Sequence, residues 1–218
     1  MINIRRFVFT ANCYVVSDDT GECVIIDPCA QYRRQREHFK HYISKEQLRP
    51  VRCLLTHGHY DHLLSCDQIK EEYGLFPEIH HGDKPWMARV QTRIEEVFGP
   101  GVFQHEIVQP QRFLEDDEVI TFGNHSLRLI HTPGHSPGSA VFYCEEEKVA
   151  FTGDTLFKGD IGRSDLLFSW PMDLEESLEK LTQLLPDDCV IWPGHGFEST
   201  MGYEKWNNEF LSFSDYGL

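Results

Sequence analysis

Apolar and polar positions alternate through the first 27 residues, in INIRRFVF, NCYVVSD and ECVIID, and the β-branched content of these runs predicts three short strands. A tight turn at Asp19-Thr20-Gly21 joins the last two as a hairpin. Residues 31–47 are charged and predicted helical, and VRCLLT (51–56) is a short apolar strand. Helices are predicted from Leu63 to Tyr73 and from Lys84 to Phe98, each stopped by a glycine, Gly74 and Gly99. The middle is rich in strands again, with EVITF, HSLRLIH, SAVFYCE and KVAFTGD separated by turn residues. DLEESLEKLTQLL (173–185) places apolar residues at i, i+3/i+4 and i+7 and is closed by Pro186. CVIWP reads as a last strand and Thr200 to Leu211 as a closing helix. Strands, helices, strands and helices in this order predict an α/β fold of two sheets with helices outside them.

The length of 218 residues suits one well-buried domain spanning 1–218. Hydrophobic residues make up 40% and charged residues 25%, which places the chain among soluble globular enzymes. The formal charge of −15, with no basic run longer than Arg33-Arg34, argues against a nucleic-acid partner, which needs a basic stripe to release counterions. No 18-residue apolar run predicts a membrane span, and the N-terminal segment reads as strands instead of a targeting signal. Seven cysteines without CxxC spacing, inside apolar runs, predict reduced thiols acting as small hydrophobes in a cytoplasmic protein.

The chemistry concentrates in Thr56-His57-Gly58-His59-Tyr60-Asp61-His62, where four metal-competent side chains follow an apolar strand within six residues. Imidazole nitrogens and carboxylate oxygens are the usual ligands of zinc and similar divalent ions. His57 and His59 alternate along an extended turn and can converge on one ion, whereas the adjacent Asp61 and His62 diverge toward a second. Three further fragments complete the set. Pro and Gly fix His135 in a turn within TPGHSPG, Asp154 ends a strand in FTGDT, and His195 does so in PGHG. A carboxylate can bridge two closely spaced ions, and Asp154 is the natural bridge. The remaining histidines, His38, His41, His80, His81, His105, His125 and His131, stand outside this pattern and read as non-ligands.

HxHxDH, TPGHSPG, GDTLF and PGHG in this order, with IIDP at 25–28, resemble the metallo-β-lactamase superfamily over essentially the whole chain. The resemblance implies a four-layer αββα sandwich with metals at one edge between the sheets. It implies that His57, His59 and His135 hold one ion, that Asp61, His62 and His195 hold another, and that Asp154 bridges them together with a hydroxide. Two divalent ions are implied, zinc first, with iron and manganese suiting the same donors. An aspartate at the bridging position is unlike the antibiotic-hydrolysing members, and the acidic composition is unlike the nucleases.

The stretch GDTLFKGDIGRSD (153–165) and the ending GHGFESTMGYEKWNNEFL resemble the short form of the glyoxalase II (hydroxyacylglutathione hydrolase) branch. This implies a small-molecule thioester substrate such as S-D-lactoylglutathione, with Asp61 and Asp154 catalytic. Longer glyoxalase II enzymes use an added helical domain to hold glutathione, so Lys158, Arg163 and Lys205 are the candidate anion contacts here, with Arg163 also able to pair with Asp165. The alternatives are a persulfide dioxygenase holding one iron through His57, His135 and Asp154, and a hydrolase of another small ester or lactone. A metal-binding protein without catalysis is a third class.

Overall fold

The computed structural model describes residues 1–103 and 105–211. Its first sheet contains β1 (Asn3–Val8), β2 (Asn12–Ser17), β3 (Glu22–Ile26), β4 (Arg49–Leu54), β5 (Pro77–His80) and β6 (Arg112–Leu114), side by side in that order. The pairings from β1 to β3 are antiparallel, and those from β3 to β6 are parallel. Parallel neighbours need crossovers, and these are supplied by α1 (Arg33–Lys45), α2 (Cys66–Tyr73) and α3 (Lys84–Phe98). The second sheet contains β7 (Val119–Phe122), β8 (His125–His131), β9 (Ala140–Cys144) and β10 (Val149–Gly153). A short ribbon of β11 (Leu156–Phe157) and β12 (Asp160–Ile161) follows, then α4 (Pro171–Leu184). β13 (Val190–Pro193) returns parallel to β10, and β14 (Ser199–Thr200) and α5 (Met201–Asn207) follow it.

Two-residue alternation decides which layer each strand residue enters. On β2 and β3, Cys13, Val15, Cys23 and Ile25 pack with Phe39 and Ile43 of α1, Ile69 of α2 and Val90 and Ile94 of α3. Their neighbours Tyr14, Val16, Val24 and Ile26 face the other way, onto Phe122, Leu127, Leu129, Phe142 and Phe151 of the second sheet. That sheet's outer residues Ile130, Val141, Ala150 and Ile191 meet Leu174, Leu178 and Leu181 of α4. Three apolar interfaces therefore separate four layers, helix, sheet, sheet and helix. Each fully buried aliphatic or aromatic side chain contributes about 1.5–3 kcal/mol, and a one-residue slip of β2 would exchange its two faces. All seven cysteines are buried and unpaired in these interfaces.

Several element boundaries differ from the sequence pattern, for local reasons. The helix expected from Leu63 begins at Cys66, because Tyr60–His62 form a 3-10 turn and Ser65 is tied to the loop after β3. Ser65 donates its N–H to Pro28 O and accepts from Ala30 N at 3.0 Å. β4 starts at Arg49, two residues early, where the Arg49 N–H bonds Gly21 O at 2.8 Å. The closing helix stops at Asn207, because the Asn208 amide turns back to Asp160 O and Glu204 Oε2 and accepts from Phe210 N. A 3-10 turn then covers Glu209–Leu211. β5 and β6 were not expected from periodicity. Among the described residues, no helix is long and apolar enough to cross a membrane.

Candidate metal centre

The C-terminal ends of β4, β10 and β13 lie at one edge of the sandwich, and each opens directly into a loop that carries expected ligands. The first loop is anchored by Asp27, just beyond β3, whose backbone adopts a left-handed φ of 52°. Asp27 Oδ1 accepts from Thr56 N at 2.8 Å, and Asp27 Oδ2 accepts from Thr56 Oγ1 at 2.7 Å. Its Oδ2 also lies 2.9 Å from His62 Nδ1. With its hydroxyl proton committed to Asp27, Thr56 Oγ1 is left to accept from His57 Nδ1 at 3.0 Å. His135 Nδ1 lies 2.8 Å from Arg163 O. Each of these bonds assigns the proton to Nδ1 and leaves Nε2 as the donor atom, which is how metal-binding imidazoles are oriented.

A second anchor joins the two halves. Asp83 is completely buried, and its Oδ2 accepts from Gly58 N at 2.6 Å and from Ser136 Oγ at 2.8 Å. Its Oδ1 accepts from Gly138 N at 2.6 Å. One carboxylate thus sets the loop of His57 and His59 against the loop of His135. Burial pushes its carboxyl up to about 6, against the pull of those three donors.

The seven expected ligands converge. Donor atoms of His57, His59 and His135 lie within 4.8 Å of one another, as do those of His57, His62 and Asp154, and those of Asp61, His62 and His195. Asp154 faces both sides: its Oδ1 is 3.4 Å from His62 Nε2, and its Oδ2 is 3.5 Å from both His135 Nε2 and His195 Nε2. His195 Nε2 is also 3.4 Å from Asp61 Oδ2. Gly194 permits this approach, since a Cβ there would collide with Asp154 Oδ1 and come within 2.7 Å of His62 Cε1.

Buried polar atoms without partners are costly, and four occur together here: His57 Nε2, His59 Nε2, His135 Nε2 and Asp154 Oδ1. Burial, reinforced by the neighbouring imidazoles, pushes His57 well down from the usual histidine range, and burial with His135 pushes His59 down to about 3. Burial also lowers His135. Burial works against the charged forms of Asp154 and Asp61 too, but the surrounding histidines outweigh it and hold both carboxyls below their usual range. At His62, Asp154 and Asp27 overcome burial and draw the imidazole upward. Neutral imidazoles at His57, His59 and His135 and ionised carboxylates at Asp61 and Asp154, with unshared donor atoms, form a set suited to divalent cations, and a cation bound there would displace a proton held at His62.

A cleft of about 460 Å³ opens over this cluster. His59, Asp61, His135 and Asp154 form its floor, and Arg163, Asp165, Leu166 and Leu167 form one wall. Arg163 forks onto Asp165 at 2.9 and 3.0 Å. Lys158 is outside the cleft lining, 5.5 Å from the centre of the Tyr203 ring, and Lys205 pairs with Asp187 at 2.7 Å. The opposite wall was not anticipated. It is one stripe of α3, formed by Trp86, Arg89, Arg93 and Glu96, with the Trp86 ring edge-on to His59 at 4.4 Å. The i, i+3, i+7 spacing of Trp86, Arg89 and Arg93 was visible in the sequence, but it does not distinguish a cleft wall from a solvated helix face.

Comparison with known proteins agrees with this geometry. The model of the metallo-β-lactamase superfamily matches residues 6–195. The chain is 35% identical over 208 residues to the hydroxyacylglutathione hydrolase GloC of Haemophilus influenzae, covering 94% of each chain. Among solved structures, it resembles the BLEG-1 B3 metallo-β-lactamase, with a TM-score of 0.84 and 30% identity, over 97% of this chain and 100% of the other. It likewise resembles TTHA1623 in a di-iron-bound form, with a TM-score of 0.81 and 32% identity, over 96% of this chain and 100% of the other. With the match extending from β1 to the last of the seven clustered ligands, the chain belongs to the metallo-β-lactamase superfamily.

Proposed function

We propose that the protein is a binuclear metal-dependent thioesterase acting on S-D-lactoylglutathione or a close analogue. The observation that carries this reading is the position of Asp154, with one oxygen toward His62 and the other toward His135 and His195. A carboxylate so placed suits a bridge between a site of His57, His59 and His135 and a site of Asp61, His62 and His195. Divalent ions held there would lower the pKa of water from 15.7 toward about 7 and polarise a carbonyl.

The chain's own residues hold and orient. The Nδ1 bonds of His57, His62 and His135 lock the rings, so no reorganisation is needed during the reaction. Asp61, on the cleft floor, orients the attacking water through its carboxylate. The water gives one proton to solvent and adds its oxygen to the acyl carbon, the carbon–sulfur bond breaks with its electron pair on sulfur, and the acid and the thiolate are released. Thiols have a pKa of about 8.5, so the sulfur leaves without a dedicated acid. The likeness to GloC, named a hydroxyacylglutathione hydrolase, supports the substrate class.

The test is turnover of S-D-lactoylglutathione by metal-replete protein under nitrogen, followed as loss of the thioester. Hydrolysis independent of oxygen that disappears in Asp154→Ala supports the proposal. Absence of turnover, with oxygen-dependent consumption of glutathione persulfide or with opening of a β-lactam instead, refutes it.

A further inference from the structure

The charges around the mouth of the cleft do not cancel. Although acidic residues outnumber basic ones 35 to 20 across the chain, three arginines line this cleft, Arg89, Arg93 and Arg163. Arg163 is taken up by Asp165, and Arg93 pairs with Glu96 at 2.9 Å. Arg89 makes no ion pair or side-chain hydrogen bond among the described residues. It is exposed on α3, between the buried Met87 and Val90, which fix that helix to the core.

The position of Arg89 relative to the reacting groups is set by the helix. Trp86, one turn earlier on the same stripe, packs edge-on against His59. Three helical residues advance about 4.5 Å, so Arg89 stands about that far along the wall from a residue touching the floor of the cleft. An extended peptide arm covers about 3.5 Å per residue. A thioester at the floor therefore brings a carboxylate one or two residues along its thiol half to the height of Arg89. A guanidinium in this position offers the planar fork that matches a carboxylate.

We propose that Arg89 is the carboxylate anchor for the thiol half of the substrate, so that α3 provides the anion contact expected of Lys158 and Arg163. The site selects thioesters whose thiol is a peptide bearing a free carboxylate, over uncharged acyl thioesters. This proposal rests on the thioesterase reading and adds a specificity determinant to it. Arg93 and Arg163 are secondary contacts, since their exposed pairs with Glu96 and Asp165 contribute little and can open.

The experiment compares wild type, Arg89→Gln and Arg89→Lys on S-D-lactoylglutathione and on the uncharged S-lactoyl-N-acetylcysteamine, with kcat and KM measured separately. In Arg89→Gln the ratio of kcat/KM for the charged over the uncharged thioester falls on the order of tenfold. The fall comes through KM, and Arg89→Lys recovers part of it. Binding of S-methylglutathione, measured by calorimetry without turnover, weakens in parallel. An unchanged ratio and unchanged S-methylglutathione affinity in Arg89→Gln overturn the anchor while leaving the thioesterase standing. If wild type hydrolyses neither thioester, the thioesterase reading fails. S-methylglutathione binding then decides the anchor alone: loss in Arg89→Gln sustains it, and equal or absent binding overturns it.

Discussion

Removing the Asp83 carboxylate separates the two loops that carry His57, His59 and His135, and Asp83→Ala measures how much that link contributes. At pH 7.5 the group is ionised, above its raised value of about 6. It accepts from Gly58 N, Gly138 N and Ser136 Oγ at 2.6, 2.6 and 2.8 Å. Hydrogen bonds to a charged group contribute about 1.5–3 kcal/mol each, and every buried N–H left orphaned costs about 1–3 kcal/mol. The Ser136 hydroxyl has an alternative partner in Ser139 Oγ at 2.8 Å, so the loss is set by the two glycine amides. The expected destabilisation is about 3–5 kcal/mol, toward the upper end for single substitutions. For a chain of this size it lowers Tm by roughly 6–20 °C. Metal affinity should fall about 10–100-fold, the usual consequence of freeing ligand loops. Urea denaturation followed by circular dichroism gives the first number, and competition with a chromophoric chelator gives the second. A loss under about 1 kcal/mol, with metal affinity intact, would refute the claim that Asp83 joins the loops.

Other outcomes follow from the same geometry. Asp154→Ala should reduce bound metal by more than one ion per chain in elemental analysis and abolish nearly all turnover, whereas retained stoichiometry would contradict its bridging position. Asp27→Asn removes the charge facing His62 Nδ1 and should weaken metal binding about 10–100-fold, read by the same chelator competition. Asp18 accepts from Thr20 N and Oγ1, Asn124 N and His125 Nδ1. Burial opposes its charge, but these donors outweigh burial and hold its carboxyl below the usual range. Its folded value is below the unfolded value of about 3.9, so its contribution is fully present above that value and is lost as pH falls through the folded one. The stability gap between wild type and Asp18→Asn should therefore be widest near neutrality and close below about pH 4; a gap independent of pH would contradict this.

The ligand segments were legible because each follows an apolar strand and is bounded by Gly or Pro, a purely local signal. The helix Lys84–Phe98 was equally local, since Pro85 sits in its first turn and Gly99 closes it with φ 93°. β5 and β6 are only four and three residues long and owe their conformation to parallel neighbours far away in sequence. For that reason neither carries a periodic signature of its own. Asp83 shows the same limit at the site. Beside Gly82 it reads as an ordinary helix-entry acid, while its partners are 25, 53 and 55 residues away. Arg89 and Arg93 are legible as arginines on a helix face, but the cleft they line is created by loops from both sheets, distant in sequence.

The division of ligands between the sheets governs when the centre can be assembled. His57, His59, Asp61 and His62 follow β4 of the first sheet, whereas His135, Asp154 and His195 follow strands of the second. The last of them comes more than half the sequence after the first. A nascent chain therefore displays four isolated ligands well before the remaining three exist, and high-affinity capture has to wait for the sheets to close. Cation loading at these seven side chains would thus report completed folding of both halves, and a half-made chain would have little means of sequestering an ion.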